Sequence, residues 1–356
     1  MKSNPSRGPA LIYADALGNR GGTGVYLRRL LTGFAGNGAD VLAAVGGQVT
    51  SPSGALVAKP MTGIRKVFWE NMILPAGNYS PRPGIVHLPA FSGRGIRGVP
   101  SAVTVHDLAF CRNPAWFPPI RSLYYRLLFR RTASKASVIM VDSDFTASEA
   151  ESLLGIERER IRRVYLSTEP FVADPAAFRE SIGISGRYVV FTGTVEPRKN
   201  IQALLRAWAE VRRVHPELTL VLAGRWGWGS RRLRESLAGT EGVIHTGSLP
   251  LNILKSCVNG ASLMVYPSLY EGFGLPPLEA ASAGVPSVVS PAEVLKEVYG
   301  DISLVAGGFD ATSLSKAILE GLETAVDAGA LMDFAGSFSV ETMASAVLDV
   351  YREFGA

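Results

Sequence analysis

Cysteine is nearly absent from this 356-residue chain: Cys111 and Cys257 are too few for a disulfide framework or a cysteine zinc cluster. Histidine is scarce too, and His87, His106, His215 and His245 are too scattered to suggest a metal site. No apolar run approaches the roughly 18 residues that span a bilayer, so no transmembrane helix is expected. No charged-then-apolar leader precedes the strand-like Ala10-Leu11-Ile12-Tyr13-Ala14, which makes the cytoplasm the expected compartment. Solenoid repeats and low-complexity tracts are missing, and no nucleophilic Ser or Cys motif is found. What remains is a globular composition, 47% hydrophobic and 19% charged, long enough for about two domains at roughly 150 residues each.

The net charge of +5 hides a split. Residues 1–170 carry 21 Lys/Arg against 11 Asp/Glu, whereas residues 171–356 carry 15 against 20. Such asymmetry fits one half facing an acidic partner (nucleic acid, an anionic membrane or a phosphorylated substrate) as readily as simple drift in surface composition.

Short apolar runs alternate with amphipathic segments, the pattern of βαβ units and parallel sheets. Strands are expected at residues 11–14, 41–45, 84–88, 102–105 and 137–141, then at 188–192, 218–223, 243–245, 262–266, 287–290 and 303–305. Helices read most clearly at 201–214, 276–283 and 310–325, with a final amphipathic segment at 339–354. Prolines and polar residues from Ser167 to Pro170, continuing through Asp174-Pro175, mark the expected domain boundary.

Four segments fall where open α/β sheets bind ligands, at the carboxyl ends of strands. The first, Gly18 to Gly24, follows the first strand and opens a helix near Val25. Its glycines, Gly21 and Gly22 among them, suit a close approach of backbone to an anion at a helix N-terminus. Alone it is a weak signal that more often marks a tight strand-to-helix turn. The second, Thr192 to Asn200, sets Arg198, a planar fork, beside Lys199, a mobile point charge. Together they could neutralise a diphosphate, with Asn200 capping the next helix. The third runs from Pro267 to Glu279. It holds Glu271 in a loop, then Gly272, Phe273, Gly274 and Leu275, then Glu279 one turn into a helix. Paired carboxylates accept hydrogen bonds from vicinal hydroxyls, which suits a sugar or ribose. The fourth is His106-Asp107, a general acid–base candidate or a structural hydrogen-bonded pair.

The segments Glu196-Pro-Arg-Lys-Asn200, Pro267-Ser-Leu-Tyr-Glu-Gly-Phe-Gly-Leu-Pro276 and Glu279-Ala-Ala-Ser-Ala-Gly-Val-Pro286 resemble those of the family-4 retaining glycosyltransferases of GT-B fold. The two glutamates with seven residues between them, Glu271 and Glu279, carry the resemblance furthest. It implies an α/β fold of two Rossmann-like domains facing each other across a cleft. Residues 1–170 would bind acceptor, 171–338 the nucleotide sugar, and 339–356 would form a helix crossing back to the first domain. By the same resemblance Arg198 and Lys199 hold the donor diphosphate as leaving group, and Glu271 meets the donor sugar with the backbone of Gly272 to Leu275. Glu279 binds the ribose, Gly21 and Gly22 approach the phosphates, and His106 lies beside the donor sugar. No bound metal or cofactor is implied. Two departures stand out: Thr194 occupies a position where many members carry arginine, and Leu166-Ser167-Thr168 replaces a linker asparagine-glycine pair.

Among relatives of this type the chain looks most like bacterial mannosyltransferases of polysaccharide assembly, which implies GDP-mannose as donor and a glycan or lipid-linked oligosaccharide as acceptor. A UDP-, dTDP- or other GDP-sugar, or a non-catalytic sugar-binding subunit, are the alternatives. Nucleic acid is not an expected partner. The segment Ile120 to Arg131 mixes arginines with large aromatic and aliphatic residues, so peripheral binding to the anionic inner face of the cell membrane is expected through it.

Overall fold

The computed structural model describes residues 8–19, 21–90, 93–117 and 119–356, in two α/β units. One unit contains the chain up to Ser167 together with Phe338–Ala356; the other is Thr168–Ser337.

The first unit is built on strands β1 (Ala10–Tyr13), β2 (Val41–Val45), β3 (Gln48–Thr50), β4 (Ile85–Leu88), β5 (Ser101–Val105), β6 (Val138–Val141) and β7 (Ile161–Arg163). They lie in the order β3-β2-β1-β4-β5-β6-β7. All pairings are parallel except that of β3, an edge strand turned back on β2. Central strands such as Ala10–Tyr13 and Val138–Val141 are apolar at every position and wholly buried. That is what a parallel sheet covered by helices on both faces requires.

The Gly22–Gly36 helix follows β1. Gly24 is needed there, because a Cβ at that position would overlap the Asn19 carbonyl. Against this helix packs the C-terminal one, Val340–Phe354, with the Phe34 and Tyr351 rings 6.0 Å apart. Its Ser339 cap accepts from the Thr342 N–H, and Met343, Val347, Val350 and Tyr351 are buried as their helical spacing predicts. A buried polar chain joins these elements. The Tyr351 hydroxyl lies 2.6 Å from His87 Nδ1, and His87 Nε2 lies 2.7 Å from Thr104 Oγ1. Burial lowers the His87 pKa to about 3, so the ring is neutral at ordinary pH.

The second unit has strands β8 (Tyr188–Thr192), β9 (Thr219–Ala223), β10 (Val243–Gly247), β11 (Leu263–Tyr266), β12 (Ser287–Val289) and β13 (Leu304–Val305). Their order is β10-β9-β8-β11-β12-β13, parallel throughout. The neighbouring carboxyl ends of β8 and β11 therefore bring the 193–200 and 267–274 loops side by side, bridged where the Leu269 N–H donates to the Arg198 carbonyl over 2.9 Å. No helix among the described residues is long and apolar enough to cross a membrane.

Candidate active site

After β8 the chain turns through Gly193 and Val195 into a short 3-10 turn, Pro197–Lys199. Proline at the first position of that turn suits its fixed φ, and the next two residues are the two cations. Asn200 then takes a left-handed conformation (φ +56°) and opens the Ile201–Val214 helix. It does so without the side-chain cap that its identity suggests: its amide donates instead to the Phe309 carbonyl, 2.8 Å away. After β11, Gly274 (φ +87°) starts the Leu275–Ser282 helix, and a Cβ there would stand 2.8 Å from Leu295. Only glycine meets both conditions.

These two loops bring Arg198, Lys199 and Glu271 into one buried cluster. Lys199 Nζ donates to Glu271 Oε1 at 2.5 Å and to the Tyr266 hydroxyl at 2.6 Å. Arg198 Nη1 donates to Glu271 Oε2 and to the Tyr270 carbonyl, each over 3.0 Å, while its Nε reaches Glu196 Oε1 at 3.1 Å. Burial pushes the Glu271 carboxyl up, but Arg198 and then Lys199 outweigh it and hold the pKa at about 2. Burial also pulls the Lys199 ammonium down, against the opposing pull of Glu271. Two cations and two carboxylates balance here. Their side chains are already oriented, so little rotamer entropy is left to lose when an anion arrives.

Glu279 stands further along the Leu275–Ser282 helix and is half-buried. It and Glu271 both act electrostatically on Tyr299, whose pKa rises chiefly through burial; the Tyr299 hydroxyl donates to the Gly274 carbonyl at 2.7 Å. Gly272, Phe273 and Gly274 are buried between the two glutamates, and Leu275 is half-buried.

His106, Gly21 and Gly22 belong to the first unit. His106, at the end of β5, shares a 2.8 Å hydrogen bond through Nδ1 with Asp142 Oδ2, and the Tyr26 ring meets it edge-on with centroids 4.8 Å apart. Burial lowers the imidazole pKa but the Asp142 carboxylate more than offsets it, so the ring protonates more readily than a free histidine. Gly21 takes the position before the Gly22–Gly36 helix, its N–H donating to Asn19 Oδ1 at 2.9 Å. A Cβ on Gly22 would meet nothing within 4 Å, so space is left open at that helix start.

Three partners were not anticipated from sequence: Tyr266 on Lys199, Glu196 on Arg198, and Asp142 on His106. Asp142-Ser143-Asp144 has the spacing of a metal-binding Asp-x-Asp, yet its carboxylates diverge. Asp142 faces His106, and Asp144 lies 3.5 Å from Arg163 and 3.9 Å from Arg158. Among the described residues no group of three or more His, Cys, Asp or Glu is placed to hold a metal ion.

Two family models match the chain: Glycosyltransferase Family 4 over residues 20–170 and Glycosyl transferases group 1 over residues 186–324. The O-antigen chain mannosyltransferase B of Escherichia coli is 35% identical over 237 residues, 63% of this chain and 61% of that protein. The O-antigen chain mannosyltransferase RfbU of Salmonella typhimurium is 24% identical over 61% of this chain and 59% of its own length. Each match thus spans about three-fifths of the relative. Anabaena HepE, solved in complex with UDP and glucose, superposes over 97% of this chain and 99% of its own with a TM-score of 0.72 at 16% identity.

Proposed function

The chain belongs to the family-4 glycosyltransferases of GT-B fold, and from that premise we propose that it moves mannose from GDP-mannose onto a growing, lipid-linked glycan with retention of the α-anomeric configuration. The observation that carries this reading is the Arg198–Lys199–Glu271 cluster at the carboxyl ends of β8 and β11. When the bond from the sugar to the diphosphate breaks, the electron pair leaves with the diphosphate and negative charge accumulates there. Cations held in place before the reaction lower that barrier without reorganising. Arg198 and Lys199 take this role, and Glu271, ionised and fixed between them, takes the donor sugar together with the backbone of Gly272 to Leu275. Glu279 receives the ribose hydroxyls. His106, kept in one orientation by Asp142, acts on the donor sugar, and Gly21 and Gly22 admit the phosphates. The reading invokes no metal ion, because the two cations supply the charge stabilisation.

The names of the two bacterial relatives favour mannose and an O-antigen-type acceptor. A UDP-sugar is the competing donor, since HepE was solved with UDP and glucose. The acceptor's lipid carrier would bring the basic first unit to the anionic inner face of the cell membrane. A thermal-shift panel of GDP-, UDP- and dTDP-sugars tests the donor. A sugar nucleotide at about 100 times its dissociation constant should add about 2.7 kcal/mol of stability. GDP-mannose is expected to give the largest shift, and a panel without any response overturns the reading.

A further inference from the structure

Between Asp40 and Asp107 the chain has a single acidic residue, Glu70, against Lys59, Arg65, Lys66, Arg82, Arg94 and Arg97. Glu70 is buried, with Lys66 Nζ 3.7 Å from its carboxylate, so no carboxylate of that stretch faces solvent. Within it lies a helical run, residues 63–76, that presents its apolar side chains outward. Ile64 is 84% exposed, Phe68 58% and Met72 54%; Val67 and Ile73 are exposed as well. The spacings 64, 67, 68 and 72 put four of these on one side of a helix. A π turn over Trp69–Ile73 adds a residue there, so Met72 and Ile73 both stay outward. The run is held from beneath by Leu74, which is buried, and by Trp69, which packs on the same core cluster as Phe129 and Ala133 of the Pro119–Lys135 helix. Both helical segments therefore cover the same face of the first sheet, and Arg126, Arg130 and Arg131 of the second are exposed.

A ridge of bare isoleucine, phenylalanine and methionine is unusual on a soluble surface. Flanked in the sequence by cations and by no exposed carboxylate, it matches an anionic bilayer, in which apolar side chains enter the acyl boundary while Lys and Arg meet lipid phosphates. We infer that the outward face of residues 63–76 is the element by which this protein inserts into an anionic lipid surface. This rests on the lipid-linked acceptor of the proposed function and adds a second element to the 120–131 segment, several of whose side chains lie outside the described residues.

The test is flotation of the full chain with vesicles of phosphatidylcholine alone and of phosphatidylcholine with phosphatidylglycerol. The wild type should float with the anionic vesicles only, and less as salt rises. Combined Ile64→Ser, Phe68→Ser and Met72→Ser should weaken that binding by about tenfold or more. These side chains are exposed, so the variant should keep the wild-type melting temperature and its thermal shift with GDP-mannose. Binding of the variant equal to wild type overturns the inference. So does failure of the wild type to float on anionic vesicles, or a wild-type dimer that the substitutions dissolve, which would make a second copy the occupant. Loss of every nucleotide-sugar response in the wild type would instead count against the glycosyltransferase reading, whatever the vesicles show.

Discussion

Burial disfavours the charge on both Glu271 and Lys199, and it is Arg198, with Lys199 added, that keeps the carboxylate charged. The consequence for pH follows from the direction of the Glu271 shift, from an ordinary 4.5 down to about 2. A carboxyl whose folded pKa is depressed stabilises the fold fully above its unfolded pKa, and that contribution fades as pH falls toward the folded value. Urea unfolding of wild type and Glu271→Gln should therefore show a stability gap that is full above pH about 4.5 and narrows toward pH about 2. A gap independent of pH would contradict the ionised cluster. Arg198 offers a second check, because its fork serves two carboxylates and a carbonyl at once. Lysine cannot reproduce that planar set, so Arg198→Lys should cost about 1.5–3 kcal/mol in unfolding free energy. Glu271, Lys199 and Arg198 were legible in the sequence because they follow apolar strands directly. Their partners were not. Tyr266 ends a buried strand and reads as an ordinary core tyrosine, and Asp142 lies 36 residues from His106, a pairing that only the β5–β6 register creates.

The long, wholly apolar strands stood out in the sequence, and the structure contains a strand at each of the eleven expected places. The two it adds, β3 and β7, are three-residue edge strands. Ile161-Arg162-Arg163 carries no apolar run, and only the backbone of β6 makes it a strand. The 63–76 run was equally silent, because apolar residues lie on both its sides and Pro75 breaks the expected periodicity. The C-terminal helix was readable from its stripe, yet its tie to β4 is a polar one. Tyr351→Phe removes the hydroxyl 2.6 Å from His87 Nδ1 and leaves that buried nitrogen unpaired. Chemical denaturation should show a loss of about 1–3 kcal/mol. An unchanged midpoint would mean that the Phe34 and Tyr351 packing alone holds the helix.

For the chain as a whole, the basic and acidic halves seen in composition correspond to units with different tasks under the proposed function. The unit with the cation–carboxylate cluster takes the donor, and the basic one meets the acceptor and its membrane. Retention follows from the same reading, so proton NMR of the glycoside made from GDP-mannose should show an α linkage, and a β linkage would count against it. The most direct test of the central claim is the steady-state rate of GDP release from GDP-mannose, with acceptor present, by wild type, Lys199→Ala and Glu271→Ala at matched folded concentration. Removing one well-placed charge stabiliser typically costs about a hundred- to a thousand-fold in rate, and each variant should lose at least that much while keeping its fold. Turnover near the wild-type rate in either variant would contradict it.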